Sequence, residues 1–214
     1  MTRHFGIGDL VARSAARVPG KIALVFGELR QTYTELDESI NRTANALRAL
    51  GVAQRDRVAI LSRNHYAFVV LHFALARLGA VSVPMNFMLT AREAAYILGD
   101  AGAKGFVAED HLLPVAIEAA DLVSEPPPVR GVIGTQLAGK VPTLWQDVSE
   151  WMRYPEAMPP VVPIDDDAPI QLMYTSGTES NPKGAVLTSR SLLAQYTSCI
   201  ADGAMDADDI ELHA

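Results

Sequence analysis

The spacing of apolar positions changes several times along the chain, and each change marks an element. Ile7, Leu10, Val11, Ala15 and Val18 form a helical stripe that ends at Pro19. Ile22–Phe26 then reads as a strand turning at Gly27 and Glu28 into a partner over 30–33. Thr34 with Asp37 has the form of a capping box and opens a helix whose Leu36, Ile40, Ala44, Leu47 and Leu50 recur at helical spacing before Gly51. Residues 57–62 are a strand. Asn64 is the expected cap of an apolar helix over 66–78 that stops at Gly79.

The alternation continues. A short strand over 80–83 is followed by a helix opened by Thr90 and Glu93, a strand over 104–108, a helix over 110–123, a break at Pro126, Pro127 and Pro128, and a strand over 130–134. Strands separated by helical crossovers predict an α/β fold with a mainly parallel sheet flanked by helices. Residues 155–167, with Pro159, Pro160, Pro163 and three successive aspartates at 165–167, read as a connector, so 1–163 and 164–214 are expected as two portions of the domain. No repeat of 20–50 residues occurs.

With 214 residues, 49% hydrophobic, the chain can bury one sizeable core or two small ones. The formal charge is −7, which argues against a nucleic-acid binder, since such proteins need a basic footprint. Residues 1–108 carry 13 basic and 8 acidic side chains, and residues 109–214 carry 5 and 17. The first half could therefore offer a face to an anionic membrane or a phosphate-rich ligand, although charge runs are usually solvated surface. The single cysteine, Cys199, can form no internal disulfide and reads as a buried, inert thiol of an intracellular protein. The first residues lack the pattern of a secretory signal, and the helix over 66–78 is interrupted by His72 and Arg77 and is shorter than the ~20 residues a bilayer requires. A cytoplasmic location is expected.

One segment differs in kind. A strand over 170–174 runs into Thr175-Ser-Gly-Thr-Glu-Ser-Asn-Pro-Lys183-Gly184, followed by a second β-rich run over 185–188. Thr175, Ser176, Thr178 and Ser180 supply hydroxyl donors, Gly177 and Gly184 allow backbone N–H groups to approach an anion, and Lys183 adds a compact charge. A turn alone needs no such series of donors, so the segment reads as a phosphate clamp. It is not a Walker loop. Pro182 stands where that motif has the glycine before the lysine, Gly184 stands where it has the Mg²⁺-ligating hydroxyl, and the residues that follow are β-like rather than helical.

Tyr174 to Gly184, with Ala185-Val-Leu-Thr-Ser-Arg-Ser-Leu192 after it, resembles the signature loop of the adenylate-forming (AMP-binding) enzymes, most closely the fatty-acid-CoA ligases and other acyl-CoA synthetases. Tyr33-Thr-Glu-Leu36, Asp56-Arg-Val-Ala-Ile-Leu61, Val83-Pro-Met-Asn86 and residues 90–101 extend the resemblance over almost the whole chain. The resemblance implies ATP, Mg²⁺ and CoA as co-substrates, a carboxylic and most simply a fatty acid as substrate, and ATP phosphates held by Thr175, Ser176, Gly177, Thr178, Ser180, Lys183 and Gly184. It also implies a protein more than twice as long. The acyl pocket, the acidic Mg²⁺ ligand and the catalytic lysine of the family then lie beyond residue 214, so no catalytic or metal-binding residue is assigned within the chain, and the chain alone is expected to be inactive. Glu179 and Ser180 depart from the commoner Thr-Gly of that loop. A nucleotide-binding or scaffold module without catalysis is the rival reading, and a homodimer or a peripheral membrane contact stays open.

The remaining candidates have simpler readings. His65 and His72, seven apart and expected on one face of the apolar helix, read as packing or surface histidines, because that helix holds no Cys, Asp or Glu to complete a metal site. Met85 and Met88 read as core gap-fillers, and Trp145 and Trp151 as core.

Overall fold

The computed structural model describes residues 6–134, 141–175 and 182–213. A 3₁₀ turn at Ile7–Asp9 leads into α1 (Leu10–Arg17), and β1 (Ile22–Phe26) pairs antiparallel with β2 (Leu29–Thr32) around Gly27, whose φ of 56° suits a glycine. α2 (Tyr33–Ala49) follows directly. Its capping box lies two residues earlier than the spacing suggested: Thr32 accepts from Glu35 N at 3.2 Å and Glu35 accepts from Thr32 N at 2.8 Å. Thr34 is diverted, its hydroxyl donating to Pro19 O.

The main sheet is built from β3 (Arg57–Leu61), β4 (Val81–Met85), β5 (Gly105–Glu109), β6 (Val129–Ile133), β7 (Gln146–Asp147), β8 (Pro169–Thr175) and β9 (Lys183–Thr188). Between them run α3 (Tyr66–Leu78), α4 (Ala91–Ala101), α5 (Leu113–Leu122) and α6 (Val148–Trp151), and α7 (Ser189–Asp202) follows β9. The strand order is β7-β6-β5-β3-β4-β8-β9, parallel throughout except that β9 runs antiparallel to β8. The mainly parallel α/β sheet is therefore as expected, and its central strands are covered on both faces.

Alternation along β3 divides the core. Val58 and Ile60 join Leu36, Ile40, Leu47, Val70, Leu71 and Leu75 beneath α2 and α3. Ala59 and Leu61 join Val83, Ile97, Leu98 and Phe106 beneath α4 and α5. Each of the larger buried side chains contributes on the order of 1.5–3 kcal/mol. Trp145 and Trp151 are buried as expected, whereas Met88 is 73% exposed and fills no gap, unlike Met85 at 5%.

A buried cation ties the N-terminal turn to this frame. Arg77, 4% exposed, donates to Gly8 O at 3.1 and 2.9 Å, to Asn41 Oδ1 and to Asp37 Oδ1 at 2.8 Å. A side chain on Gly8 would come within 2.9 Å of the Arg77 backbone, so only glycine permits this approach. The stretch between α6 and β8 forms no helix or strand and runs along α2, where Arg42 donates to Tyr154 O at 2.5 Å and Asn45 to Met158 O at 2.8 Å. Residues 206–213 have no regular structure and are exposed. Among the described residues no helix is long and apolar enough to cross a membrane.

Candidate functional site

The ends of the hydroxyl-rich segment, Thr175 and Lys183, belong to the β8–β9 hairpin. Pairing places Thr175 opposite Lys183 and Tyr174 opposite Gly184. Of the expected phosphate-binding residues, Thr175, Lys183 and Gly184 are brought together there and are exposed, whereas Ser176, Gly177, Thr178 and Ser180, with Glu179, lie outside the described residues. Lys183 opens a strand and not a helix, in keeping with the exclusion of a Walker loop. The helix comes later: α7 starts at Ser189, capped by the Thr188 hydroxyl, which accepts from Ser191 N at 3.2 Å.

One lysine and one arginine stand in the chain after residue 153, Lys183 and Arg190. Arg190 forms a two-pronged pair with Asp167, Nε to Oδ1 at 2.7 Å and Nη2 to Oδ2 at 3.1 Å, and this bonding holds the Asp167 carboxyl below its ordinary range. The pair, with Arg190 N donating to Asp166 O and Ser189 N to Ala168 O, fastens the start of α7 to the approach of β8. Arg190 is thus committed to the scaffold.

Sequence reasoning missed two residues at the hairpin. The Tyr174 hydroxyl donates to Asp100 Oδ2 of α4 at 2.5 Å, and burial first, then this bond, push the phenol well above its ordinary value. No spacing signals a contact between residues 74 apart. Only the register of the hairpin places Tyr174 there.

The carboxyl ends of β3 and β5, where the strand order reverses, are the usual crevice for a ligand in such sheets. Here the protein fills it. Glu109, 2% exposed, accepts from Arg63 N at 2.9 Å, from Arg63 Nε at 3.1 Å and from Ser62 Oγ at 3.3 Å. Burial alone would raise its carboxyl, and the Arg63 contacts outweigh that and hold it below the ordinary value. Glu109, Asp110 and His111 lie close enough to share a cation, but Glu109 is already engaged by Arg63.

His65 and His72 do not share a helix face. His65 replaces Asn64 as the cap of α3, its Nδ1 accepting from Ala67 N at 3.0 Å and its ring lying 4.6 Å from that of Phe26. His72 lies within α3, and its buried Nε2 has no partner among the described residues. Burial lowers both imidazoles, so both are neutral near pH 7. Cys199 is exposed and not buried. α7 buries Ser189 and Leu192, with Leu193 and Tyr196 partly covered, and Cys199 follows on the same face one turn beyond the covered part, where α7 is exposed.

Comparison with known proteins gives the family of the chain. The family model described as AMP-binding enzyme matches residues 11–214. The long-chain-fatty-acid–CoA ligase FadD13 of Mycobacterium tuberculosis is 37% identical over 172 residues, 80% of this chain and 32% of that protein. Feruloyl-CoA synthase of an Amycolatopsis species is 33% identical over 213 residues, 99% of this chain and 39% of that protein. The inhibitor-bound crystal structure of the N-terminal domain of FACL13 from Mycobacterium tuberculosis superposes with a TM-score of 0.78 at 34% identity, over 91% of this chain and 48% of that one. The chain thus spans about a third of the length of the curated relatives it matches.

Proposed function

Since the chain belongs to the AMP-binding enzyme family, we propose that it is the amino-terminal part of an acid–CoA ligase acting in the cytoplasm. A carboxylate oxygen of the substrate attacks the α-phosphorus of ATP, the bond to the β-phosphate oxygen breaks, and pyrophosphate leaves acyl-AMP behind. The thiol of CoA then attacks the acyl carbon and AMP departs. A fatty acid is the substrate we favour, in line with the relative that is 37% identical.

The observation that carries this reading is the pairing of Thr175 with Lys183 at the mouth of the hairpin. As pyrophosphate leaves, negative charge grows on its oxygens, and a hydroxyl and an ammonium held by opposite strands stabilise that charge without having to reorganise. Ser176, Gly177, Thr178 and Ser180 would extend the same donor set around the phosphates, with Gly184 beside them. The described hairpin, 169–175 with 182–188, contains no carboxylate. It fits an oxyanion and offers a metal no carboxylate, so Mg²⁺ would enter with ATP.

ATP–pyrophosphate exchange by the intact protein, run with a panel of acids, tests the reading. Exchange that depends on the acid and is fastest with a fatty acid is expected. Absence of exchange with every acid would overturn the reading in favour of a module that binds nucleotide without catalysis. The 214-residue chain alone should form no acyl-CoA.

A further inference from the structure

β8 meets its inner neighbour at one registered pair, Ser82 with Gln171, and continues four residues past it to Thr175. β9 lies at the edge of the sheet, and residues 183–186 are exposed. Thr175 and Lys183 thus stand beyond the registered pair that joins the hairpin to the main sheet. The hairpin's own ladder sets Thr175 opposite Lys183, and the place of that pair relative to the frame is what a further contact can fix.

Leu172 and Tyr174 project from one face of β8, and their partners across the ladder are Val186 and Gly184. A Cβ on Gly184 would come 3.2 Å from Tyr174 Cζ and 2.9 Å from Leu172 Cδ1, so the tyrosine ring lies where a side chain of residue 184 would be. Gly184 is absent from the glycines with positive φ, so its neighbour and not its conformation explains it. An aromatic ring laid across the ladder on a glycine restores packing that the glycine removes. The hydroxyl then reaches beyond the hairpin to Asp100, at the 2.5 Å typical of O–H···O⁻ bonds to a carboxylate. Asp100 sits in the last turn of α4, and Arg57 at the head of β3 fixes that turn by donating to Ala101 O and Gly102 O, each at 2.7 Å.

We propose that Tyr174 is a positioning residue for the nucleotide: seated on Gly184 and held by Asp100, it couples the Thr175–Lys183 pair to the frame through α4 and so sets where that pair stands when it meets the phosphates. This rests on the function proposed above and gives Gly184 a further role, as the seat of the ring. Burial and the Asp100 bond keep the phenol protonated across the physiological range, so it remains a donor.

The test is a mutant cycle in the intact protein, read by pyrophosphate exchange with the KM for ATP and for the acid measured separately, and by Tm. Tyr174→Phe keeps the ring and removes the hydroxyl. It should lower kcat/KM for ATP about tenfold, the scale of one hydrogen bond to a charged group, while the KM for the acid and Tm stay as in the wild type. Asp100→Ala should match it, the double variant should be no worse than either single one, and Asp100→Asn, which keeps an acceptor oxygen, should retain most of the wild-type value. Effects that multiply in the double variant, Asp100→Asn as damaging as Asp100→Ala, or KM values for ATP and acid that move together would overturn the proposal. A wild type without ATP-dependent exchange would overturn the function it rests on. Hydrogen exchange in the 214-residue chain then still decides the clamp: faster exchange of the 183–186 amides in Tyr174→Phe supports it, and unchanged exchange refutes it.

Discussion

β3 and β9 begin alike, each with a base followed by small and branched apolar residues, and they have opposite fates. In β3 the four residues after Arg57 are fully buried, between β4 and β5 with helices on both faces, and Arg57 itself closes the C-terminus of α4. In β9 Val186 is 58% exposed, and Lys183 stands at an open edge opposite a threonine hydroxyl. The same kind of residues serve the frame in one place and are free for a ligand in the other, because position in the sheet and not strand composition decides what a strand-leading base can do.

Substitutions should separate the two regions. Arg77→Ala should be the most damaging change to the frame, since it leaves Asp37 and the Gly8 carbonyl without their buried partner. A loss of about 3–5 kcal/mol is expected, seen as a fall in Tm of roughly 10 °C or more. Arg57→Ala removes charged hydrogen bonds to the last carbonyls of α4 and should cost about 1.5–3 kcal/mol in denaturant unfolding. An Arg57 variant as stable as the wild type would dissolve the contrast with β9.

The pH dependence belongs to the frame as well. The folded values of His65 and His72 lie below the ordinary 6.5, so the unfolded chain takes up protons first and stability falls as pH drops below about 6.5. Glu109 is held below its ordinary 4.5, so the contribution of its pair with Arg63 is present above that value and is lost as pH falls through the lowered one. His72→Gln should flatten the first part of this decline in urea titrations at pH 5 to 7, and Glu109→Gln only the part below pH 4.5. At the rim the smallest effect is expected: native Cys199 should react with a thiol reagent about as fast as in unfolded chain, with no change in stability on labelling.

The core was legible because α3 and the central strands carry apolar residues at spacings that sheet and helix both enforce. The cap of α2 was misplaced by two residues because Thr32 with Glu35 and Thr34 with Asp37 satisfy the same pattern, and only the contact of Thr34 with Pro19 O decides between them. Cys199 looked buried because α7 has no sharp polar face, whereas its packed stripe is limited to a few residues near its start. The strand–loop–strand order that sets Thr175 opposite Lys183 was legible from the residues around their loop. Tyr174 with Asp100 was not, because that contact exists only once the hairpin register and the end of α4 are in place.

Lys183→Ala in the intact protein, with exchange and thermal unfolding measured on the same preparation, tests most directly the claim that the hairpin carries chemistry and the frame carries stability. The account predicts an unchanged Tm together with acid-dependent pyrophosphate exchange reduced about 10²-fold or more, the scale for removing one preorganised donor of charge. Exchange at the wild-type rate, or a loss of exchange accompanied by unfolding, would contradict it.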